Sequence, residues 1–215
     1  MKIRHQVSAI IVGVGLLLSA AQAGAVVLLS DHFDADSATT QLNFNGFIHW
    51  TVDSGTVDYI REGGFGLHCV GLVGGCVDSD GSTNDAGRLV SRDVFTLPTG
   101  VTGSIFVEAS GNQRGGAPDT LNIGFLRTDL SLVTAISCVR NPADPYSPCG
   151  FSFSNAGAPL SVRAFIEGLG GDNVGIMFDD FLLTTDIAQA PGPATLVLLG
   201  VGLAWLGFRR RRRLS

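Results

Sequence analysis

Apolar and polar residues alternate in short stretches through the middle of the chain. The clearest stretch is 160–167, where every second residue from Leu160 to Ile166 is apolar and would lie on one face of a strand. Clusters of Gly, Pro, Asn and Asp separate such stretches, and no helical period is long enough to connect parallel strands. We therefore predict an all-β fold of antiparallel sheets, either a sandwich or a barrel. The predicted strands are 46–52, 56–60, 88–96, 102–110, 120–127, 131–137, 150–154, 160–167 and 174–184.

The first 25 residues have the pattern of a secretory signal peptide. Lys2 and Arg4 precede a glycine-interrupted apolar stretch at 7–18, and small residues follow, with A-x-A sites that end at Ala23 and Ala25. Cleavage there leaves a predicted β-sandwich domain over 26–184. We expect the Sec export machinery to act on this segment. An uncleaved membrane anchor is the alternative interpretation.

An apolar run of 15 residues, 194–208, lies near the other end of the chain. At about 1.5 Å of rise per residue it is somewhat short for a hydrocarbon core of about 30 Å, but we predict that it holds the chain in a membrane as a helix. The basic tail at 209–215 is predicted to be cytoplasmic, which places everything before the helix outside the cytoplasm. Its basic residues are Arg209, Arg210, Arg211, Arg212 and Arg213.

A short proline motif, Pro191-Gly192-Pro193, ends a predicted linker over 185–193 and precedes the apolar run. Motif, apolar helix and basic cluster, in this order, resemble the PEP-CTERM sorting signal of Gram-negative bacteria, although Gly192 stands where the family has Glu. The resemblance implies processing by exosortase, a membrane protease. It also implies transient anchoring in the inner membrane and later delivery to the cell surface or extracellular matrix. An ordinary C-terminal membrane anchor is the alternative.

Charge is distributed unevenly along the chain. Of the 14 Lys and Arg residues, two lie in the signal peptide and five in the terminal cluster, which leaves seven arginines in the body against all 19 acidic residues. A body with a net charge of −12 repels nucleic acid and anionic lipid, so we expect no nucleic-acid partner. The same charge suits calcium, or a protein that repulsion keeps soluble outside the cell.

Four cysteines lie in the body, and an even number in an oxidising compartment indicates disulfides. Three pairings are possible. We favour Cys69–Cys76 and Cys138–Cys149, because each pair brackets a turn-rich loop, and we expect them to shape loops more than to stabilise the fold. A zinc site is the alternative, but spacings of seven and eleven lack the C-x-x-C pattern of zinc ligands.

Several short segments of the body, at 50–58, 78–83, 111–115 and 171–181, look like a domain that is common among PEP-CTERM proteins. The last segment, which contains Asp179-Asp180-Phe181, is similar to the closing strand of carbohydrate-binding jelly rolls. The resemblance implies a jelly-roll-like sandwich and does not identify a ligand.

The loop at 78–85 is a candidate calcium site. Calcium prefers about six to eight oxygens from carboxylates, amides and carbonyls. Asp78, Asp80, Asn84 and Asp85 could supply several of them, and Gly81 would allow the sharp bend. The loop is not an EF-hand, and a polar turn without a metal is the alternative.

A second candidate calcium site combines Asp34, near the start of the body, with Asp179 and Asp180, near its end. In jelly-roll binding domains the first and last strands often lie side by side, and a structural calcium can lie between them. Adjacent residues of one strand point to opposite faces, so we expect one of the two aspartates to be buried or at a bulge, with a partner. A bulged strand end without a metal is the alternative.

Four residues are candidates for sugar binding, in which an aromatic face packs under a sugar ring and polar groups bind its hydroxyls. They are Trp50, Asn112, Gln113 and Arg114. Trp50 lies in an apolar run, so a place in the core is the stronger interpretation for it. The polar segment that contains the other three is either a binding edge or a hairpin turn.

Catalytic motifs are absent from the sequence. It contains no H-E-x-x-H, no G-x-S-x-G and no G-x-x-x-x-G-K-[ST]. We therefore predict a non-enzymatic protein with a structural or adhesive role in the exopolysaccharide layer outside the cell. A carbohydrate-binding module with a structural calcium is the first alternative. A secreted hydrolase, which would need two carboxylates about 5–10 Å apart, is the second.

Overall fold

The computed structural model describes residues 24–186. These residues form one compact unit. The predicted sorting motif, membrane helix and basic tail lie outside the described residues, as do the first 23 residues of the predicted signal peptide. Within the described part, no helix combines the length and the apolar character needed to span a bilayer.

Twelve strands within residues 24–186 form two antiparallel six-stranded sheets, so the prediction of an antiparallel β-sandwich is confirmed. In the first sheet, the order is β10 (Ser147–Ser154), β7 (Thr102–Ser110), β12 (Met177–Asp186), β4 (Gly75–Asp78) and β3 (Asp58–Arg61), and β1 (Ala25–Asp31) also pairs with β12. In the second sheet, the order is β2 (Trp50–Ser54), β5 (Arg88–Ser91), β11 (Leu160–Leu169), β8 (Asp119–Arg127) and β9 (Leu132–Arg140), and β6 (Phe95–Leu97) also pairs with β11.

The hydrophobic core lies between the sheets, where alternate residues of each strand meet. In β11, Val162 and Ile166 belong to this core, as the alternation predicted. Aromatic rings fill its centre, and the ring of Trp50 lies 6.2 Å from that of Phe33 and 4.7 Å from that of Phe181. The residues between the core positions therefore point away from the sandwich, and they form the outer face of each sheet.

Sequence analysis missed some of the short or terminal strands. β1 begins at the predicted signal-peptide boundary, and β4 is too short to show alternation. The predicted strand 88–96 is divided into β5 and β6. β1 pairs with β12 with Asp31 opposite Phe181, so the expectation that the first and last strands are neighbours is confirmed.

The two predicted disulfides, Cys69–Cys76 and Cys138–Cys149, are confirmed. Cys69–Cys76 closes a loop, as expected. Cys138–Cys149 does more than shape a loop, because it connects β9 at the edge of the second sheet to β10 at the edge of the first. It therefore joins the two layers of the sandwich along one side.

Candidate functional site

The outer face of the second sheet carries a row of hydrogen-bonding side chains that crosses five strands. The row, called the polar row below, consists of Asp53 in β2, Arg88 in β5, Glu167 in β11, Asn122 in β8 and Ser137 in β9. Strand register brings them into line, since Glu167 pairs with Arg88 on one side and with Asn122 on the other, and Asn122 pairs with Ser137. At about 4.8 Å between neighbouring strands, the row is about 19 Å long.

Hydrogen bonds order the polar row along most of its length. Arg88 binds Asp53 through two bonds, from Nε to Oδ1 at 2.9 Å and from Nη2 to Oδ2 at 2.6 Å. Its Nη1 also lies 3.9 Å from Glu167 Oε1. Asn122 Nδ2 donates to Glu167 Oε2 at 3.4 Å, and Ser137 Oγ donates to Asn122 Oδ1 at 2.6 Å. The hydrogen bonds to Asp53 raise the pKa of Arg88, which therefore stays charged.

A groove of about 330 Å³ lies beside the polar row on the same face. Two arginines in it are held by backbone carbonyls: Arg163 Nη1 donates to the oxygens of Ser91 at 2.6 Å and Arg92 at 2.5 Å. Arg92 in turn donates from Nε and Nη2 to the carbonyl oxygen of Phe47, at 3.3 and 3.2 Å. The arginine groove, as it is called below, is lined by Thr51, Asp53, Val90, Ser91, Arg92, Leu130 and Arg163.

Apolar side chains separate the polar row from the far end of the arginine groove. Val90, Phe165 and Leu126 form a small cluster of buried residues outside the main core. Phe165 pairs with Val90 on one side and with Gly124 on the other, where no side chain rises above the sheet. These three side chains are only 2–4% exposed, so they pack beneath the surface, and the groups that the face offers to a ligand are mainly its donors and acceptors.

The structure places the predicted sugar-binding residues elsewhere, in structural roles. Trp50 is 0% exposed, and its Nε1 donates to Asp31 Oδ2 at 2.8 Å. This corrects the expectation of a ligand contact at Trp50 and agrees with the stronger interpretation, a place in the core. Asn112 is 1% exposed, and its side chain closes its own turn by accepting from the backbone N–H groups of Arg114 and Gly115.

Gln113 and Arg114 also hold loops together. The side chain of Gln113 binds the backbone of His68 twice, at 2.8 Å in each direction. Arg114 forms an ion pair with Asp78. Both side chains are therefore engaged within the protein, and neither lies on the outer face of the second sheet.

The candidate calcium loop at 78–85 does not bring its oxygens together. Asp78 is 0% exposed, and its Oδ1 accepts from the backbone N–H groups of Asp80 at 3.1 Å and Gly175 at 3.0 Å, while Oδ2 binds Arg114. Burial raises the pKa of Asp78 to about 7, although the positive charge of Arg114 acts in the opposite direction. Asp80 instead accepts from the N–H of Asp172 at 3.3 Å. Asn84 and Asp85 are exposed.

In the second candidate group, Asp180 follows Asp179 in β12, and Asp34 lies near enough for its charge to act on Asp179. Asp179 is 4% exposed, and its oxygens accept from the N–H groups of Asp180 at 2.7 Å and Val70 at 3.3 Å. Asp180 has a φ of 50° at a register shift of β12 and binds His32. The expectation that one of the two aspartates is buried or at a bulge, with a partner, is therefore met by Asp179, which is buried and hydrogen-bonded. Burial, with further contributions from the charges of Asp180 and Asp34, raises the pKa of Asp179 to about 8.

Calcium coordination at either group stays a prediction. Between residues 24 and 186, no three His, Cys, Asp or Glu side chains are grouped as metal ligands. Asp34 Oδ1 accepts from the N–H of Gly75 at 2.8 Å, and Asp179 is bound to backbone groups in the same way. These oxygens act as hydrogen-bond acceptors for loops and do not converge on one point.

Sequence reasoning did not find the polar row or the arginine groove. Their residues lie between positions 51 and 167 and become neighbours only through strand order, which no local motif encodes. One signal was present: the alternation in 160–167 places Arg163, Phe165 and Glu167 on the face away from the core. An outward face that carries two opposite charges and an aromatic ring differs from an ordinary solvated strand.

Comparison with known proteins identifies a fold and no family. No protein-family model matches the chain, and no curated protein matches it significantly. Among solved structures, the arabinose-bound MgGH51 α-L-arabinofuranosidase has a TM-score of 0.54 at 10% identity. The match covers 77% of this chain and only 27% of the length of that enzyme.

Two further solved structures match over most of this chain. A cyclase from Fischerella sp. TAU has a TM-score of 0.51 at 13% identity, over 78% of this chain and 100% of its own. The CBM22-1 xylan-binding domain from Paenibacillus barcinonensis Xyn10C has a TM-score of 0.43 at 17% identity, over 79% and 100%. Identities this low show a similarity of fold alone.

Proposed function

We propose that this protein is an exported carbohydrate-binding module, which binds an extended sugar chain along the outer face of the second sheet without cleaving it. The observation that supports this most directly is the polar row, in which five strands each contribute one hydrogen-bonding side chain. A carbohydrate-binding module, the first alternative given by the sequence, is thus favoured over a purely structural role. The segment around Asn112 takes no part in the proposed site.

Carbohydrate fits this face better than a small apolar ligand does. Each hydroxyl of a sugar can both donate and accept a hydrogen bond. Carboxylate, amide and guanidinium groups are planar and carry two polar atoms side by side, so each can bind two neighbouring hydroxyls at once. The polar row presents all three types of group, in Glu167, Asn122 and Arg88. An open row about 19 Å long suits a chain of sugars more than a single unit.

The way in which the carboxylates of the polar row are held supports binding without turnover. Asp53 makes two hydrogen bonds to Arg88, and Glu167 contacts the same guanidinium and Asn122. A glycosidase requires one carboxyl group as acid and another as base or nucleophile. Because both carboxylates are engaged in ordering the row, we propose that neither performs such a step, and that the protein is not an enzyme.

Export is the second part of the proposal. The two disulfides support folding in an oxidising compartment. The signal-peptide pattern and the resemblance of residues 191–215 to a PEP-CTERM signal support delivery to the cell surface, with exosortase as the processing partner and exopolysaccharide as the ligand source. Cell fractionation with mass spectrometry of the mature C-terminus tests this part, and an intact chain in the cytosol with free thiols would contradict it.

A glycan array tests the binding function. The full chain, purified in detergent, should bind at least one class of bacterial polysaccharide, and Asn122→Ala should weaken that binding about tenfold, the loss of roughly one well-formed hydrogen bond. Ser161→Ala is the control, since Ser161 is exposed on β11 of the same sheet but lies outside the row. Binding that is equal in Asn122→Ala and the wild type, or no binding to any glycan, would contradict the proposal.

A further inference from the structure

The seven arginines of the body are not equivalent, and two of them share one groove. Arg88 is paired with Asp53 and Glu167, and Arg114 is paired with Asp78. None of the ion pairs found between residues 24 and 186 includes Arg92 or Arg163. Two cations without a carboxylate partner therefore lie together on a domain whose net charge is −12.

Backbone carbonyls orient both of these arginines and leave part of each guanidinium available. Arg163 uses Nη1 for the carbonyls of Ser91 and Arg92, and Arg92 uses Nε and Nη2 for the carbonyl of Phe47. A guanidinium has five N–H donors, so donors remain on both. Held side chains lose little conformational entropy when a ligand binds, which favours binding.

The rest of the groove does not cancel this charge. Asp53 is the single acidic residue that lines it, and both of its oxygens are bound to Arg88. Thr51 and Ser91 line the same groove, with Val90 beside them. Arginine pairs bind planar oxyanions, above all carboxylates, in a bidentate geometry.

We infer that the arginine groove binds a carboxylate carried by the sugar chain, so that the ligand is an acidic polysaccharide that contains uronic acid. This inference rests on the proposed function, because the polar row that Asp53 shares with the groove would hold the neighbouring sugars. The row recognises hydroxyls, and the groove selects for charge. A domain that repels polyanions overall would accept one only in the orientation that brings its carboxylate to this groove.

The test uses a matched pair of probes, a short oligogalacturonate and the same oligosaccharide with every carboxylate methyl-esterified. Calorimetric titration of the full chain in detergent should show the acidic probe binding about tenfold or more tightly, because a charge-assisted pair is lost in the ester. Arg92→Gln and Arg163→Gln should each lower the affinity for the acidic probe toward that for the ester. Affinity for the acidic probe should also fall with added salt.

Two further variants separate charge from fold. Arg163→Lys keeps a positive charge and should retain part of the preference for the acidic probe over its ester, whereas Arg163→Gln should not. A thermal melt of each variant checks that it is folded. Arg61→Gln is the control for net charge. Arg61 lies in β3 of the first sheet and donates to the carbonyl of Asp34, so the preference should stay unchanged in this variant.

The outcomes distinguish this inference from the proposed function. Equal affinity for the acidic probe and its ester overturns the carboxylate site while the carbohydrate-binding function stands. Inorganic sulfate that binds as tightly as the acidic probe shows an anion site without sugar recognition, which contradicts the uronic-acid ligand and leaves the proposed function to the glycan array. If neither probe binds and no glycan on the array binds, both the carboxylate site and the carbohydrate-binding function are overturned.

Discussion

The outer faces of the two sheets differ in what their charged residues do. On the first sheet, the disulfide loop covers one end of the face, where Leu67 and Cys69 pack against Ile60 and Met177. The carboxylate of Asp179 is buried beneath this loop. On the second sheet, the charged side chains lie on an open face and are ordered by one another or by backbone carbonyls.

This difference shows that acidic residues in this chain take different structural roles on the two sheets. The aspartates that the sequence singled out mostly hold loops, because burial directs their oxygens to backbone N–H groups. The groups proposed to bind a ligand are fewer and lie on regular strands. We therefore expect changes on the first sheet to affect stability, and changes on the second sheet to affect binding.

Removing Asp78 should have the largest effect. Asp78→Ala leaves Arg114 without its partner and the N–H groups of Asp80 and Gly175 without their acceptor, so the free energy of unfolding should fall by about 3 kcal/mol. Urea unfolding measures this, with Asp93→Ala, at an exposed site, as the control. Glycan affinity of the folded variant should not change. A loss of affinity without a loss of stability would contradict the assignment of stability to the first sheet and of binding to the second.

Stability should also depend on pH through the buried carboxyls. The pKa of Asp179 is raised to about 8 and that of Asp78 to about 7, so the folded state takes up protons more readily than the unfolded chain. The free energy of unfolding should therefore rise as pH falls from 8 to 6, by about 2 kcal/mol. Asp179→Asn should remove much of this rise, whereas Asp129→Asn, at an exposed site whose pKa is lowered, should leave it intact.

Changing Glu167 should affect binding more than folding. Glu167→Ala removes the side chain that both Arg88 and Asn122 contact in the middle of the polar row, so glycan affinity should fall about tenfold. The thermal midpoint should change little, because exposed ion pairs contribute about 1 kcal/mol or less. A midpoint that falls steeply with no change in affinity would show that the row is structural.

The calcium prediction should give the smallest effect. If Asp34 and Asp179 bind calcium, the thermal midpoint should be higher in calcium than in chelator, and Asp179→Asn should abolish the difference. Equal midpoints for the wild type would contradict a calcium ion at this position. That result would leave the second sheet's role untouched.

The sequence predicted what alternation and short spacing encode. It placed Val162 and Ile166 in the core and paired Cys69 with Cys76, because each inference needs only residues close in the chain. It missed the polar row, since Asp53 and Glu167 are far apart in sequence and meet on Arg88 only after the strands are ordered. It also could not show that Arg114 binds Asp78, which determines what both residues do.

The most direct test of the carbohydrate-binding function is a two-dimensional NMR titration with the best glycan from the array. Residues 24–186, which form one compact unit with their own core, are suited to it. Shifts in backbone amide signals should concentrate in β2, β5, β8 and β11. Shifts confined to the first sheet and the loop closed by Cys69–Cys76, or no shift at any glycan concentration, would contradict this function.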